Sequence, residues 1–519
     1  KNDIISVFDN SATIESHKNR FTISDNLLSF SGSVPEDADV FYALYPHITE
    51  SKIDLAANTI STILPSVQEA TIGSFASNTA IMLAKADDNN QLLFKNVCSH
   101  IKFTLAEDMS DVKSITLMGN KDEILAGSFT IDCNDENITI MPTANKCETF
   151  VTIKNTNGTA LTPGDYFFTT LPVEFTNGFT IILSKENGEQ VAKKTSANYA
   201  QIKERNSILE MKPLTATDYS EHLNYFVKYN DGFDITFGNV TFNNKTNPGG
   251  VLVSNNKDKS FNLAAYDTGI YFVTPNCTKA NINQARAYKS LIVIGTDEGV
   301  RSEMDFYRQI RPYDGGDLIL LANLRCNVGS KNAFAQNINT EGNAFKTFGN
   351  ITFYNCHFKN IGKNFFEFNT TNAFTELNLT VEDCEFGISG TTVYLLNSAK
   401  NTTTAQNISL KNNIFYAESS DAAKQFRLIY GESLTIATFN LESTTFDNII
   451  PQGNMMIVGD IGASFGMSKN LFYECNKTVD TTVKMISFKI NNSAKSASGI
   501  TTNNVYYNST SGALDGAGI

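Results

Sequence analysis

Apolar and polar positions alternate with a period of two through most of this chain. "HIKFTL" (100–105) sets Ile101, Phe103 and Leu105 on one face. "FTIILSKENGEQVAKK" (179–194) reads as a hairpin around Asn187-Gly188, and "PGDYFFTTLP" (163–172) as a turn, a strand and a stop. Helical spacing is scarce, with "NYAQIKERNSI" (198–208) a short candidate. Short strands separated by turn signals predict two antiparallel β-sandwiches, over 1–95 and 96–215.

From about 216 the pattern changes. "ITFYNCHF" (351–358), "LTVEDCEF" (379–386), "ISLKNNIF" (408–415), "FNLESTTF" (439–446) and "FGMSKNLF" (465–472) share apolar first and third positions and a final Phe. A second strand follows each octet: "NFFEFN" (364–369), "TVYLLN" (392–397), "QFRLIYG" (425–431), "NMMIVGD" (454–460) and "KMISFK" (484–489). "ITFGNVTF" (235–242) reads as an early rung, "SLIVIGTDEG" (290–299) and "DLILLANLRCNV" (317–328) as imperfect ones, and "GITTNNVY" (499–506) as a last one. A strand-only repeat of about 29 residues predicts a parallel β-helix over 216–519, of about nine or ten turns. Phe358, Phe386, Phe415, Phe446 and Phe472 then form an inward structural ladder, although an aromatic stripe could also serve as a sugar platform. Asn355, Asp383 and Asn412 fall where a sharp bend needs a residue tolerant of left-handed backbone. Cys356 and Cys384 share a repeat position and are expected as stacked buried thiols.

Composition narrows the function. Of 519 residues, 41% are hydrophobic and 18% charged, enough apolar content for sizeable cores. A net charge of −13 disfavours nucleic acid and an electrostatic membrane anchor. No apolar run approaches the roughly 20 residues of a membrane span. The start at "KNDIISVF" reads as a trimmed or mature one, compatible with an export signal upstream. The eight Cys and five His lack zinc-type spacing, so no metal and no cofactor are expected. Cys133 and Cys147 could close a small disulfide loop; buried free thiols are the competing reading.

"FYALYP" (41–46), "NVCSHIKFTL" (96–105), "SITLMGNKDEILAGSFTI" (114–131) and the long run from "PGDYFFTTLP" to "ILEMKPL" (163–214) resemble the fimbrillin-like proteins of Bacteroidales. The resemblance implies a pair of β-sandwiches in a lipid-anchored outer-membrane surface protein or fimbrial subunit serving adhesion. Pilin members of that family polymerise after a protease cuts at an Arg and removes the first strand. Arg20, in "HKNRFTI", lies near such a place; a solvated arginine before a strand is the plainer reading. The domain that follows stands where the family's polymerisation strand is expected, which favours a tip, accessory or single-copy protein. The later half resembles the right-handed β-helix domains of Bacteroidales surface proteins, whose shape is shared with pectate lyases and polygalacturonases.

Shape alone does not make an enzyme. The "NTD", "DD", "HG" and "RIK" set of polygalacturonases is missing. Asp314 and Asp317 in "YDGGDL" read as a tight loop; Glu382, Asp383 and Glu385 read as a solvated face and a bend. One excess stands out: Arg286, Arg301, Arg308, Arg311 and Arg325 are five of the eight arginines. Such a cluster could bind carboxylated or sulfated sugars, or be spent in salt bridges. The sequence thus predicts an all-β, non-catalytic surface adhesion or glycan-binding protein. A polysaccharide lyase or glycoside hydrolase is the alternative, and a pilus tip or spacer with a protein partner the next.

Overall fold

The computed structural model describes residues 3–515 except 13–16, 26–28, 135–137, 197–200, 256–267, 279, 283–285, 313–314, 330–333, 336–347, 368–375, 399–403, 420–424, 452–453, 476–485, 491–497 and 508–510. The chain is nearly all β and divides into two compact units that meet between Asp231 and Gly232. Among the described residues no helix is long and apolar enough to cross a membrane.

The first unit holds two six-stranded sheets, one of four strands and one of three. Alternation drives each of them: in Ser99–Leu105, Ile101, Phe103 and Leu105 are buried, and Phe179–Lys185 turns back through Gly188, whose φ of 85° suits the tight hairpin. One continuous core runs from Phe8 to Leu214. The boundary expected near residue 95 is crossed by strand pairing. Thr59–Leu64 pairs with Ala126–Asp132, and Val67–Glu69 pairs with Phe150–Lys154. Periodicity gives each strand's two faces but not its partner, so these crossings are not visible in sequence.

No helix forms in the described part of "NYAQIKERNSI"; Ile202 instead bridges Val173. Among the described residues the α-helix is Tyr225–Asn230, capped by Asn224, whose side chain accepts from Val227 N. It buries Val227 against Ile182 and Ala192. Asp231, just past it, accepts from Ser114 Oγ at 2.7 Å and lies 3.7 Å from Lys154 Nζ. These contacts tie residues 225–231 to the first unit, beyond the expected end at 215.

The second unit is a parallel β-helix of three strand columns. The first column includes Phe348–Tyr354, Leu377–Glu382 and Thr404–Lys411. The second is a nine-stranded parallel sheet running from Asn281–Ile282 to Val505–Tyr507. The third includes Thr392–Asn397 and the first half of the long strand Gln425–Glu442, and it joins the first column into one 18-stranded sheet. "ITFGNVTF" is not a rung. Ile235–Phe237 and Val240–Phe242 form an antiparallel hairpin, because Gly238 at φ 57° starts a two-residue turn.

Each octet is one corner of the β-helix. Its first and third residues end a first-column strand with side chains inward: Ile351 and Phe353, Leu379 and Val381, Ile408 and Leu410 are all buried. The fifth residue takes left-handed backbone: Asn355 (φ 48°), Asp383 (58°), Asn412 (53°), Ser443 (52°) and Lys469 (58°). That conformation turns the chain into the second column without breaking the ladder, since Asn355 N still reaches Glu382 O at 3.0 Å and Asp383 N reaches Lys411 O at 3.1 Å. The sixth residue points inward, as the buried Cys356, Cys384, Asn413, Thr444 and Asn470. Cys384 N donates to Asn413 Oδ1 at 2.9 Å and Thr444 N to Asn470 Oδ1 at 2.8 Å, so side-chain amides satisfy corner backbone that the strands cannot.

Candidate functional site

The seventh octet residue opens a second-column strand, and the eighth is the second residue of that strand. Phe358, Phe386, Phe415, Phe446 and Phe472 are fully buried and follow one another in register. Successive centroids are 5.2, 4.6, 5.3 and 4.9 Å apart with nearly parallel planes, and Tyr506 stacks on Phe472 at 5.0 Å. A sugar cannot reach these rings. They hold the sheet whose opposite face is accessible.

Because strand side chains alternate, the residues flanking this ladder face outward in two columns. One reads Glu303, Arg325, His357, Glu385, Ile414, Thr445, Leu471, Val505. The other includes Asp305, Asn327 and Lys359, then, past a bulge at Asn360, Tyr416, Asp447, Tyr473 and Tyr507. The face therefore has a charged end and an aromatic end.

At the charged end the side chains answer one another. Arg301 Nη1 pairs with Glu385 at 2.5 Å, while its Nε and Nη2 donate to Asn355 Oδ1 at 3.1 and 2.9 Å. Arg325 pairs with Glu303 at 3.2 Å, and Lys359 approaches the same carboxylate at 3.6 Å. His357 Nε2 lies 2.8 Å from Tyr416 Oη. Burial, with Arg301, Arg325 and Lys359 around it, holds His357 below its ordinary pKa against the pull of Glu385.

The arginines singled out by sequence are thus not equivalent. Arg301 and Arg325 come together on this face and are ion-paired. Arg308 is exposed beyond the strand Ser302–Phe306. Arg286 and Arg311 lie in consecutive third-column strands, where Arg286 is opposite Ile310 and Arg311 opposite Ala287. Among the acids, Glu382 binds Lys411 at 3.0 Å, Asp383 accepts from Asn412 Nδ2 at 2.6 Å, and Asp317 sits in the strand Gly316–Ala322. Asp314 lies outside the described residues. Arg20 is within Lys18–Ile23, its backbone opposite Ser6 and its side chain exposed, rather than in a loop before the strand. Cys133 and Cys147 form no disulfide, nor do the other six cysteines.

Two groupings escaped the sequence reading. Arg427, only 8% exposed, lies over Tyr430 at 4.7 Å and Tyr394 at 5.4 Å and donates from Nε to Asn454 O. The aromatic end of the outer face is the other. Tyr473 and Tyr507 stack at 4.9 Å with planes 5° apart, yet remain 39% and 52% exposed. Val505, on the rung of Tyr507, and Ile414, on the rung of Tyr416, are also exposed. Asp447 sits between Tyr416 and Tyr473 in register; partial burial and Glu474 raise its pKa. Unequal spacing between these residues hides their alignment from a sequence reading.

No protein-family model matches the chain, and no curated protein matches it. Among solved structures, a protein provisionally named for cell adhesion from Bacteroides uniformis ATCC 8492 is similar over 42% of this chain and 88% of its own, at 14% identity and a TM-score of 0.28. Another so named, from Bacteroides ovatus ATCC 8483, covers 42% of this chain and 85% of its own at 10% identity and a TM-score of 0.27. The likeness is distant, and what the β-helix can bind has to come from its own residues.

Proposed function

We propose that this is a cell-surface adhesion protein without chemistry of its own, which holds a carbohydrate against the outer face of the nine-stranded sheet. The supporting observation is the division of that face. Its charged end consumes its own carboxylates, with Glu303 and Glu385 each bound to a cation. Acids engaged in this way are poorly suited to the paired acid and base work of a glycosidase. Its other end leaves Tyr473 and Tyr507 exposed beside the Asp447 carboxylate, a combination of ring surface and hydroxyl acceptors suited to sugars. The same reading places the protein outside the cell, carried by an anchor upstream of this segment.

The test is a glycan array spanning neutral, acidic and amino sugars, with each captured glycan weighed before and after incubation. Binding with the glycan intact is expected. Failure to bind any class would overturn the glycan reading, and shortened or unsaturated products would replace it with the lyase or hydrolase alternative.

A further inference from the structure

We infer that the ligand is a neutral, extended glycan chain lying along the β-helix axis over Tyr416, Asp447, Tyr473 and Tyr507. This rests on the glycan-binding reading and adds the site, the direction and the ligand class.

The direction follows from register. The four residues occupy one column on four consecutive strands. Strands advance by about 4.8 Å, close to the advance per residue of an extended β-linked glycan. A chain laid along the column therefore offers successive sugars to successive rungs. The adjoining column reads Ile414, Thr445, Leu471 and Val505, and its three apolar members widen the floor. The parallel stack of Tyr473 and Tyr507 exposes ring edges and hydroxyls together, which suits a ligand apolar on its C–H faces and polar at its rim. Tyr416 is held at its hydroxyl by His357.

Charge sets the class. At these four positions the ionisable group other than tyrosine is Asp447, which makes no hydrogen bond or ion pair among the described residues, and Glu474 follows Tyr473. A uronate or sulfated chain would meet these acids. The cations of the same face, Arg301, Arg325 and Lys359, are at its other end with Glu385 and Glu303. A neutral sugar instead gives Asp447 hydroxyl donors.

Size separates a glycan from a protein. Four rungs by two residues make a strip about 20 Å by 7 Å, on the order of 150 Å², far below the roughly 800 Å² that each side of a stable protein interface buries. The strip is also a sheet face with its backbone already paired on the interior rungs, so an added β-strand has no ladder to join there.

The test titrates the full chain with cellohexaose, xylohexaose, mannohexaose and an oligogalacturonate of equal length, at low and high salt, by calorimetry. One of the neutral hexaoses should bind with an affinity that ignores salt. Tyr473→Ala and Asp447→Ala should each weaken it about tenfold or more, while Arg325→Ala leaves it unchanged. Circular dichroism checks that these surface variants keep the fold. An array-positive glycan that binds the Tyr473→Ala/Tyr507→Ala double variant with unchanged affinity would remove this site and leave glycan binding standing. Salt-sensitive binding of the oligogalacturonate, weakened by Arg308→Ala, would overturn the ligand class. No binding of any sugar would take both proposals down.

Discussion

Phe415→Ala tests whether the aromatic ladder holds the β-helix together. The ring has no solvent exposure and stands between Phe386 at 4.6 Å and Phe446 at 5.3 Å, with Phe426 at 5.3 Å. Truncating a buried Phe costs about 3–5 kcal/mol through lost transfer energy and the cavity left behind. Each aromatic contact contributes about 0.5–1.5 kcal/mol beyond area burial, so losing several places this site in the upper half of that range. Tyr506 is half-buried and stacks on Phe472 alone within the ladder, which makes Tyr506→Ala about half as costly, near 2 kcal/mol. Urea unfolding followed by far-UV circular dichroism reads both. Because stacked repeats couple mainly to their neighbours, hydrogen exchange on Thr404–Lys411 and Thr445–Asp447 should show the loss concentrated there. Phe415→Leu, which refills part of the volume, should recover more than half. A cost below about 1 kcal/mol for Phe415→Ala, or an equal cost for Tyr506→Ala, would refute the ladder as the main internal support.

Asn470→Ala should cost about 2–4 kcal/mol in the same assay, because Thr444 N loses its acceptor and Leu441 O its donor inside a dry corner; a loss under about 1 kcal/mol would mean water replaces the amide. His100, against the Phe75 ring at 4.0 Å, is lowered by burial to about 4 from an ordinary 6.5. The unfolded chain takes up that proton first, so stability is complete above about pH 6.5, falls by about 3 kcal/mol toward pH 4 and levels off below. His100→Gln should flatten that limb of the pH-dependent urea midpoint in the first unit, and an unchanged slope would assign it elsewhere. Burial pushes Cys98 up to about 12 and raises Cys326 and Cys384 well above the ordinary thiol value. Iodoacetamide at pH 8 should spare all three until urea is added, as peptide mass mapping would show.

The octet was legible because one eight-residue phrase encodes three separate physical demands. Two apolar positions fill the interior, a left-handed residue turns the corner, and a Phe stacks on the last one. Asn355, Asp383 and Asn412 gave away the corner through their tolerance of positive φ, whereas Ser443 and Lys469 adopt it at the same position without that chemical hint. The pattern misled at "ITFGNVTF", where apolar spacing matches a rung but Gly238 makes a hairpin. Partner choice in the first unit was invisible for the same reason: alternation fixes a strand's faces and leaves the pairing of Thr59–Leu64 with Ala126–Asp132 to tertiary packing.

The arginine cluster shows why local composition is a poor guide to a β-helix surface. Arg301 meets Glu385 although 84 residues separate them. The lateral neighbours of a residue on this surface come from the rungs before and after it, so an excess of one charge in a sequence window can be neutralised by rungs far outside that window. The converse holds for the tyrosines. Tyr416, Asp447, Tyr473 and Tyr507 look scattered in sequence, yet folding brings them into one column. Inward columns answer to packing and are rewritten at every turn in almost the same letters. Outward columns are free of that demand, so a departure from solvated polar residues, such as exposed tyrosines beside an acid, needs a reason of its own, and a ligand running along the stack supplies one.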